Sequence, residues 1–188
     1  MKLSKSIIWS FILLTIVAAL YRVIPGRPYG FAPQWAMAVF AGAVIKDKKF
    51  ALIIPVLSMF FSDMLYQILY ASGLSTIQGF YEGQWQNYVL FGLMTFVGFM
   101  VKKVNVINVI SASLIAPTLY FILSNFVLWA GTGTRGLGRP KTWSGLIQCY
   151  NDALPFYRTS LIATLAFSGI FFGTYYLISR NVSKTATA

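Results

Sequence analysis

The 188-residue sequence contains no histidine, a single cysteine and only four acidic residues. Without histidine, the commonest general base and imidazole metal ligand are missing. The lone Cys149 excludes an intramolecular disulfide and any multi-cysteine metal site. The acids Asp47, Asp63, Glu82 and Asp152 form no close sequence pair, and no activated nucleophile accompanies them. No catalytic residue, metal site or cofactor is therefore assigned, and the chain is not expected to be an enzyme. Charge is scarce as well. Charged residues make up 10% of the chain, against roughly a quarter in soluble domains, too few to coat a water-facing surface.

What the chain has instead is hydrophobic sequence, 57% of it, gathered in runs near the length of about 20 residues that crosses a bilayer core as a helix. The expected fold class is all-α: an integral membrane bundle of six transmembrane helices forming a single domain over residues 1–188. The helices are expected at about 6–24, 32–46, 50–71, 86–101, 106–130 and 159–179. Between the third and fourth runs lies a polar stretch, 72–86, broken by Gly73, Gly79 and Gly83. Between the fifth and sixth lies an outer, semi-polar segment, 131–158, whose part 142–156 reads equally as a re-entrant helix, an interfacial helix or a loop. The second and fourth runs are short, which suits either a thin membrane or a buried position. The first run follows Lys2 and Lys5, as in a signal peptide, but no A-x-A cleavage site follows it and it is expected to be retained.

The net charge of +11 raises the question of nucleic acid, but the basic residues sit in small groups between apolar runs rather than on one soluble face. No nucleic-acid partner is expected. Read as topology signals, Lys2, Lys5, Lys46, Lys48, Lys49, Lys102, Lys103, Arg180 and Lys184 fall on one side. Arg22, Arg27, Arg135, Arg139, Lys141 and Arg158 fall on the other. The nine-to-six bias places both termini in the cytoplasm. The expected location is a bacterial cytoplasmic (inner) membrane, crossed several times. The inner set is mostly lysine in tight clusters, and the outer set mostly arginine spread over separate loops.

Asp63 falls about 13 residues into the third run, roughly 20 Å along a helix, in the outer half of the membrane. A carboxylate there costs at least about 2.5 kcal/mol unless paired or hydrated. Arg22, Arg27, Arg135, Arg139 and Arg158 are expected near the same level. Two readings stay open: a buried ion pair that holds two helices together, or a ligand cavity open to the outside. Ser62, Gln67, Asn151 and Asp152 add polar groups at a similar height. Asn125 lies well inside the fifth run and needs a partner; Trp129, four residues later on the same face, is a candidate stacking platform. Trp9, Trp35, Trp85 and Trp143 read as an interfacial aromatic belt.

Small residues at four-residue spacing, Ala38 with Gly42 and Gly169 with Gly173, let helix backbones approach closely. They serve either packing within the bundle or docking of a partner. Two motif matches are set aside. The run Gly131-Thr-Gly-Thr-Arg-Gly136 fits G-x-G-x-x-G but follows an apolar run rather than the strand of a βαβ unit. The sequon at Asn181 falls on the expected cytoplasmic side.

The segment Phe31-Ala-Pro-Gln-Trp-Ala-Met-Ala-Val-Phe-Ala-Gly-Ala43, Pro55 with Ser62-Asp63, Ser124-Asn125-Phe126 with Trp129, and the run from Pro140 to Phe156 together resemble a family of small bacterial membrane proteins of uncharacterised function. The resemblance covers about residues 20–175, and its last run is the most specific part. Members often carry an Asn-Thr pair and an acid in the last helix, where this chain has Thr159-Ser160 and then Thr164. That family is in turn similar to the substrate-binding S components of energy-coupling factor transporters. The resemblance implies six helices, both termini inside and a vitamin-like solute bound near the outer face. It also implies small-residue docking onto a membrane partner subunit driven by ATPases. The S components carry that docking motif on the first helix, whereas here Ala38 and Gly42 lie on the second. On this reading Asp63 and Asn125 orient a small polar or anionic solute and Trp129 stacks on it. Arg22, Arg27, Arg139, Lys141 and Arg158 supply positive potential. The alternatives are a structural or assembly subunit of a larger membrane complex, and a secondary transporter or channel using Asp63 as a proton or cation site.

Overall fold

The computed structural model describes residues 5–131 and 139–185, with side chains described from 13 to 179 within those stretches. Lys2 and Arg135 lie outside the described residues, as do residues 132–136 of the Gly-rich match and the side chains of Lys5, Trp9, Arg180, Asn181 and Lys184. The described residues form six helices: α1 (Lys5–Arg22), α2 (Gln34–Val44), α3 (Lys48–Ala71), α4 (Gln84–Phe99), α5 (Val106–Ala130) and α6 (Trp143–Thr185).

Local chemistry starts several of them. Asp47 caps α3 by accepting from the backbone N–H groups of Lys49 (2.9 Å) and Phe50 (3.4 Å), and Asn105 caps α5 by accepting from Asn108 N–H (2.8 Å). Each satisfies donors that a helix N-terminus leaves unpaired. Gly83 enters α4 with φ +84°, a conformation open to glycine at little cost. Pro55, Pro117 and Pro155 sit inside α3, α5 and α6 without ending them.

The short α2 is the centre of the bundle. It packs against α3, α4, α5 and α6, and none of its residues is exposed. Its small side chains are the reason. A Cβ on Gly42 would overlap the Thr95 carbonyl oxygen of α4 and approach Gly98 Cα to 2.9 Å, and a Cβ on Gly98 would overlap the Val39 carbonyl oxygen. The two backbones touch there. Ala38 and Gly42 are thus buried inside the bundle, with Gly42 against α4, as the packing alternative for this pair describes. The core continues through Val39, Met59, Phe91, Met94, Val97 and Ala116.

The semi-polar segment 142–156 belongs to α6, which begins at Trp143 rather than near 159 and runs for 43 residues, about 65 Å at 1.5 Å per residue. Leu146, Cys149, Tyr150, Ala153 and Tyr157 turn inward, whereas Gln148, Asn151 and Asp152 are exposed. That is a helical period with one polar face, which lowers the average hydropathy without breaking the helix.

Three helical stretches, Lys48–Ala71, Val106–Ala130 and Trp143–Ser179, are long and apolar enough to cross a membrane, and only 28%, 22% and 22% of their most apolar windows is buried within the molecule. Most of that apolar surface therefore faces outward. The turns carrying Lys46, Lys48, Lys49, Lys102 and Lys103 share one end of the bundle, where Lys48 Nζ lies 4.0 Å from the Phe99 ring centroid. Trp85 and Trp143 are exposed near helix starts, as belt residues would be. Trp35 is not one of them: it is wedged inside, 4.8 Å from Phe91 and 4.2 Å from Tyr120 between ring centroids.

Candidate functional site

Polar groups converge at the end of the bundle opposite the lysine turns. Asp63, 1% exposed, is held from three sides. Arg22 of α1 pairs with Oδ1, while Gln84 Nε2 (2.5 Å) and Tyr88 Oη (2.8 Å) of α4 donate to Oδ2. Gln84 and Tyr88 are four residues apart and therefore share a face. Arg22 also donates to Ser62 Oγ (2.6 Å), its guanidinium carbon lies 5.6 Å from the Tyr66 ring centroid, and its carbonyl accepts from Tyr66 Oη (2.6 Å). This network ties α1, α3 and α4 together. Opposite charge and neutral donors surround the carboxylate, the arrangement a buried ion requires.

The loop 72–83 lies against this knot. Gly79 is buried, and a Cβ there would overlap the Asp63 carbonyl oxygen and come within 2.6 Å of Gln67 N. Gln67 Oε1 accepts from Phe80 N–H (3.2 Å). The loop so delivers Tyr81 to the start of α4, where its hydroxyl accepts from Asn87 Nδ2. Asn87 Oδ1 accepts in turn from Tyr120 Oη of α5 (3.2 Å).

Beside that Tyr81–Asn87–Tyr120 row, between the start of α4 and the end of α5, opens a cavity of about 770 Å³. Its polar lining includes Tyr81, Gln86, Asn87, Tyr120, Ser124 and Asn125. The volume lies within the range of about 300–1,000 Å³ typical of small-molecule sites. Among the described residues no three His, Cys, Asp or Glu side chains come within reach of one metal ion.

Of the eight residues expected to bind a solute, only Asn125 lines this cavity. It is largely buried, donates back to the Phe121 carbonyl (2.7 Å), and lies against Cys149 Sγ. Arg22 and Asp63 come together, but in the knot behind the cavity. Arg27 donates to the carbonyls of Arg22 (3.1 Å) and Phe31 (2.6 Å), folding the connection to α2. Lys141 donates to the carbonyls of Trp129 and Gly131 (2.5 Å), which caps the C-terminus of α5 and places a cation at the negative end of its dipole. Trp129 is not among the lining residues of the cavity; its Nε1 donates to the Pro140 carbonyl (3.1 Å) and Lys141 Nζ lies 5.7 Å from its ring centroid. Arg139 pairs with Asp152 (2.5 Å), and Arg158 is exposed on α6 and is not among the lining residues of the cavity. A Cβ on Gly169 or Gly173 would meet nothing within 4 Å among the described residues, and both glycines are exposed.

Sequence reasoning missed Tyr81, Gln84, Asn87, Tyr88 and Tyr120. A signal for three of them was present: Gln84, Asn87 and Tyr88 recur at spacings of three and four, which puts them on one face of α4. Assigning residues up to Gln86 to a polar loop hid that face.

No curated protein and no solved structure matches this chain. A family model matches residues 2–186, so the chain, with its six helices and its polar cavity at one end, belongs to the family of unknown function DUF6580.

Proposed function

We propose that this chain is a membrane-embedded subunit that binds a small solute for an uptake system, with the solute in the cavity between α4 and α5. The cavity carries the reading. It combines a size suited to a small molecule with convergent amides and phenols, at the end away from the lysine turns. The outward-facing apolar surface of α3, α5 and α6 supports lipid as the surrounding solvent. In this reading all six helices form a transmembrane bundle in a bacterial cytoplasmic membrane, with α2 shielded from lipid by its neighbours. The lysine-bearing turns mark the cytoplasmic side, so both termini are cytoplasmic and the cavity opens outward. On this reading the chain acts as an S component of an energy-coupling factor transporter would, and translocation then requires a membrane partner subunit and ATPases.

A second reading is a structural or assembly subunit of a membrane complex. The saturated Asp63 knot, which serves as a helix staple, and the exposure of Gly169 and Gly173 among the described residues favour it.

Mass spectrometry of small molecules released from detergent-purified protein separates the two. A compound retained by wild type and absent from folded Ser124→Phe, which fills the cavity, supports solute binding. If nothing is retained by wild type, and affinity capture brings down stoichiometric membrane subunits, the assembly reading replaces it.

A further inference from the structure

We infer that Asp63, which is not among the lining residues of the cavity, is the residue that positions its wall. This deepens the solute-binding reading and rests on it. Asp63 acts by two routes. Through its side chain it grips α4, where Gln84 Nε2 (2.5 Å) and Tyr88 Oη (2.8 Å) both donate to Oδ2. Asn87 lies between those two in sequence and on the same side of the helix. Through its backbone Asp63 seats the loop. Gly79 rests on the Asp63 carbonyl with no room for a Cβ, and Gln67, one turn further along α3, accepts from Phe80 N–H (3.2 Å). Tyr81 follows directly. The two partners of the Tyr81–Asn87 hydrogen bond, one on the loop and one on α4, are thus both referred to a single residue of α3.

The cavity wall is sensitive to that reference point. Side-chain atoms lie about 5 Å from a helix axis, so a rotation of α4 by roughly 20° displaces Asn87 by about 2 Å. A shift of that size breaks the 3.2 Å bond from Tyr120 Oη. On the loop, Gly79 is the one buried residue within 72–83, so its seat on α3 is where the loop's burial is concentrated. Asp63 itself is buried and held by α1 as well as α4. A staple between α1 and α3 needs only the bond from Arg22 to Oδ1. Oδ2 is given to two donors that flank a cavity residue.

A thiol on the opposite wall reads the position of this one. Ser124→Cys on α5 is treated with methyl methanethiosulfonate, a small uncharged reagent, alone and combined with Tyr88→Phe or Gly79→Ala. Both of these residues touch Asp63, and neither is among the lining residues of the cavity. Lys102→Cys, on the exposed turn after α4, serves as the reference thiol, and buried Cys149 gives the background. Phe172→Ala, in the buried core, controls for general loosening. The rate at Ser124→Cys relative to the reference is expected to rise roughly tenfold with Tyr88→Phe and with Gly79→Ala, and to stay within about twofold with Phe172→Ala. Unchanged rates with Tyr88→Phe and Gly79→Ala overturn the positioning role and leave the solute-binding reading to the retained compound. An equal rise with Phe172→Ala overturns it too, since any loosening would then open the cavity. If Gly79→Ala does not fold, Tyr88→Phe, which removes a single hydroxyl, decides alone. A thiol at Ser124→Cys that is inert in every background while Lys102→Cys reacts means a closed cavity, and the solute-binding reading falls with the inference.

Discussion

Arg22 and Asp63 bridge α1 and α3 with unequal burial: the arginine side chain is 23% exposed and the aspartate 2%. The aspartate thus depends on its protein partners more than the arginine does. Asp63→Ala leaves Arg22, Gln84 and Tyr88 facing a void, and Arg22→Ala leaves a buried carboxylate with neutral donors only. Losing one partner of a buried pair costs about 3–5 kcal/mol. Replacing both, as Arg22→Met with Asp63→Leu, is expected to cost less than either single alanine. Denaturant titration in detergent measures all three. An Asp63→Ala protein as stable as wild type would contradict the staple and return Asp63 to the solute site.

The two glycine pairs should respond in opposite directions. Gly42→Ala forces a methyl against the Thr95 carbonyl, and overpacking of this kind costs about 1–3 kcal/mol. Gly169→Ala meets nothing within 4 Å and should stabilise α6 by roughly 0.5–1 kcal/mol through helix propensity. Melting temperatures in detergent compare them. Equal effects at both positions would mean that α2 and α4 do not touch as described.

Gly79 provides a local test of the loop. A methyl there overlaps the Asp63 carbonyl, so Gly79→Ala should lift residues 72–83 from α3. The expected consequence is faster cleavage of this loop in limited proteolysis, with the helices still protected. Unchanged cleavage would place the loop elsewhere.

Tyr120→Phe removes the hydrogen bond to Asn87 (3.2 Å) while keeping the ring against Trp35. A modest stability loss of about 0.5–1.5 kcal/mol is expected. Release of any copurifying solute should accelerate at the same time. A variant that retains the solute as tightly as wild type argues that the Tyr120 hydroxyl takes no part in binding.

Lys141→Met should loosen the end of α5, since it removes the cation from the Trp129 and Gly131 carbonyls. A helix-terminal charge contributes about 0.3–1 kcal/mol, so the stability change is small. The sharper readout is the environment of Trp129, whose emission is expected to shift. An unaltered spectrum would remove Lys141 as the cap.

The all-helical architecture and the positions of five helices were legible because apolar runs, lysine turns and the caps Asp47 and Asn105 are local signals. The need of Asp63 for a cationic partner was legible too, since carboxylates are scarce in such runs and arginines lay at the same expected height. The start of α6 was less so: an average over 142–156 mixes an inward face with an exposed one, and only the helical period separates them. What tertiary structure alone decided was which arginine meets Asp63, and that Lys141 and Arg27 serve the backbone. It also placed the cavity beside Tyr81, Asn87 and Tyr120 rather than at Asp63. Spacing along one helix sets which residues share its face. Which faces of α4 and α5 look at each other depends on how closely α2 allows α4 to approach, and the touching backbones of Gly42 and Gly98 set that distance.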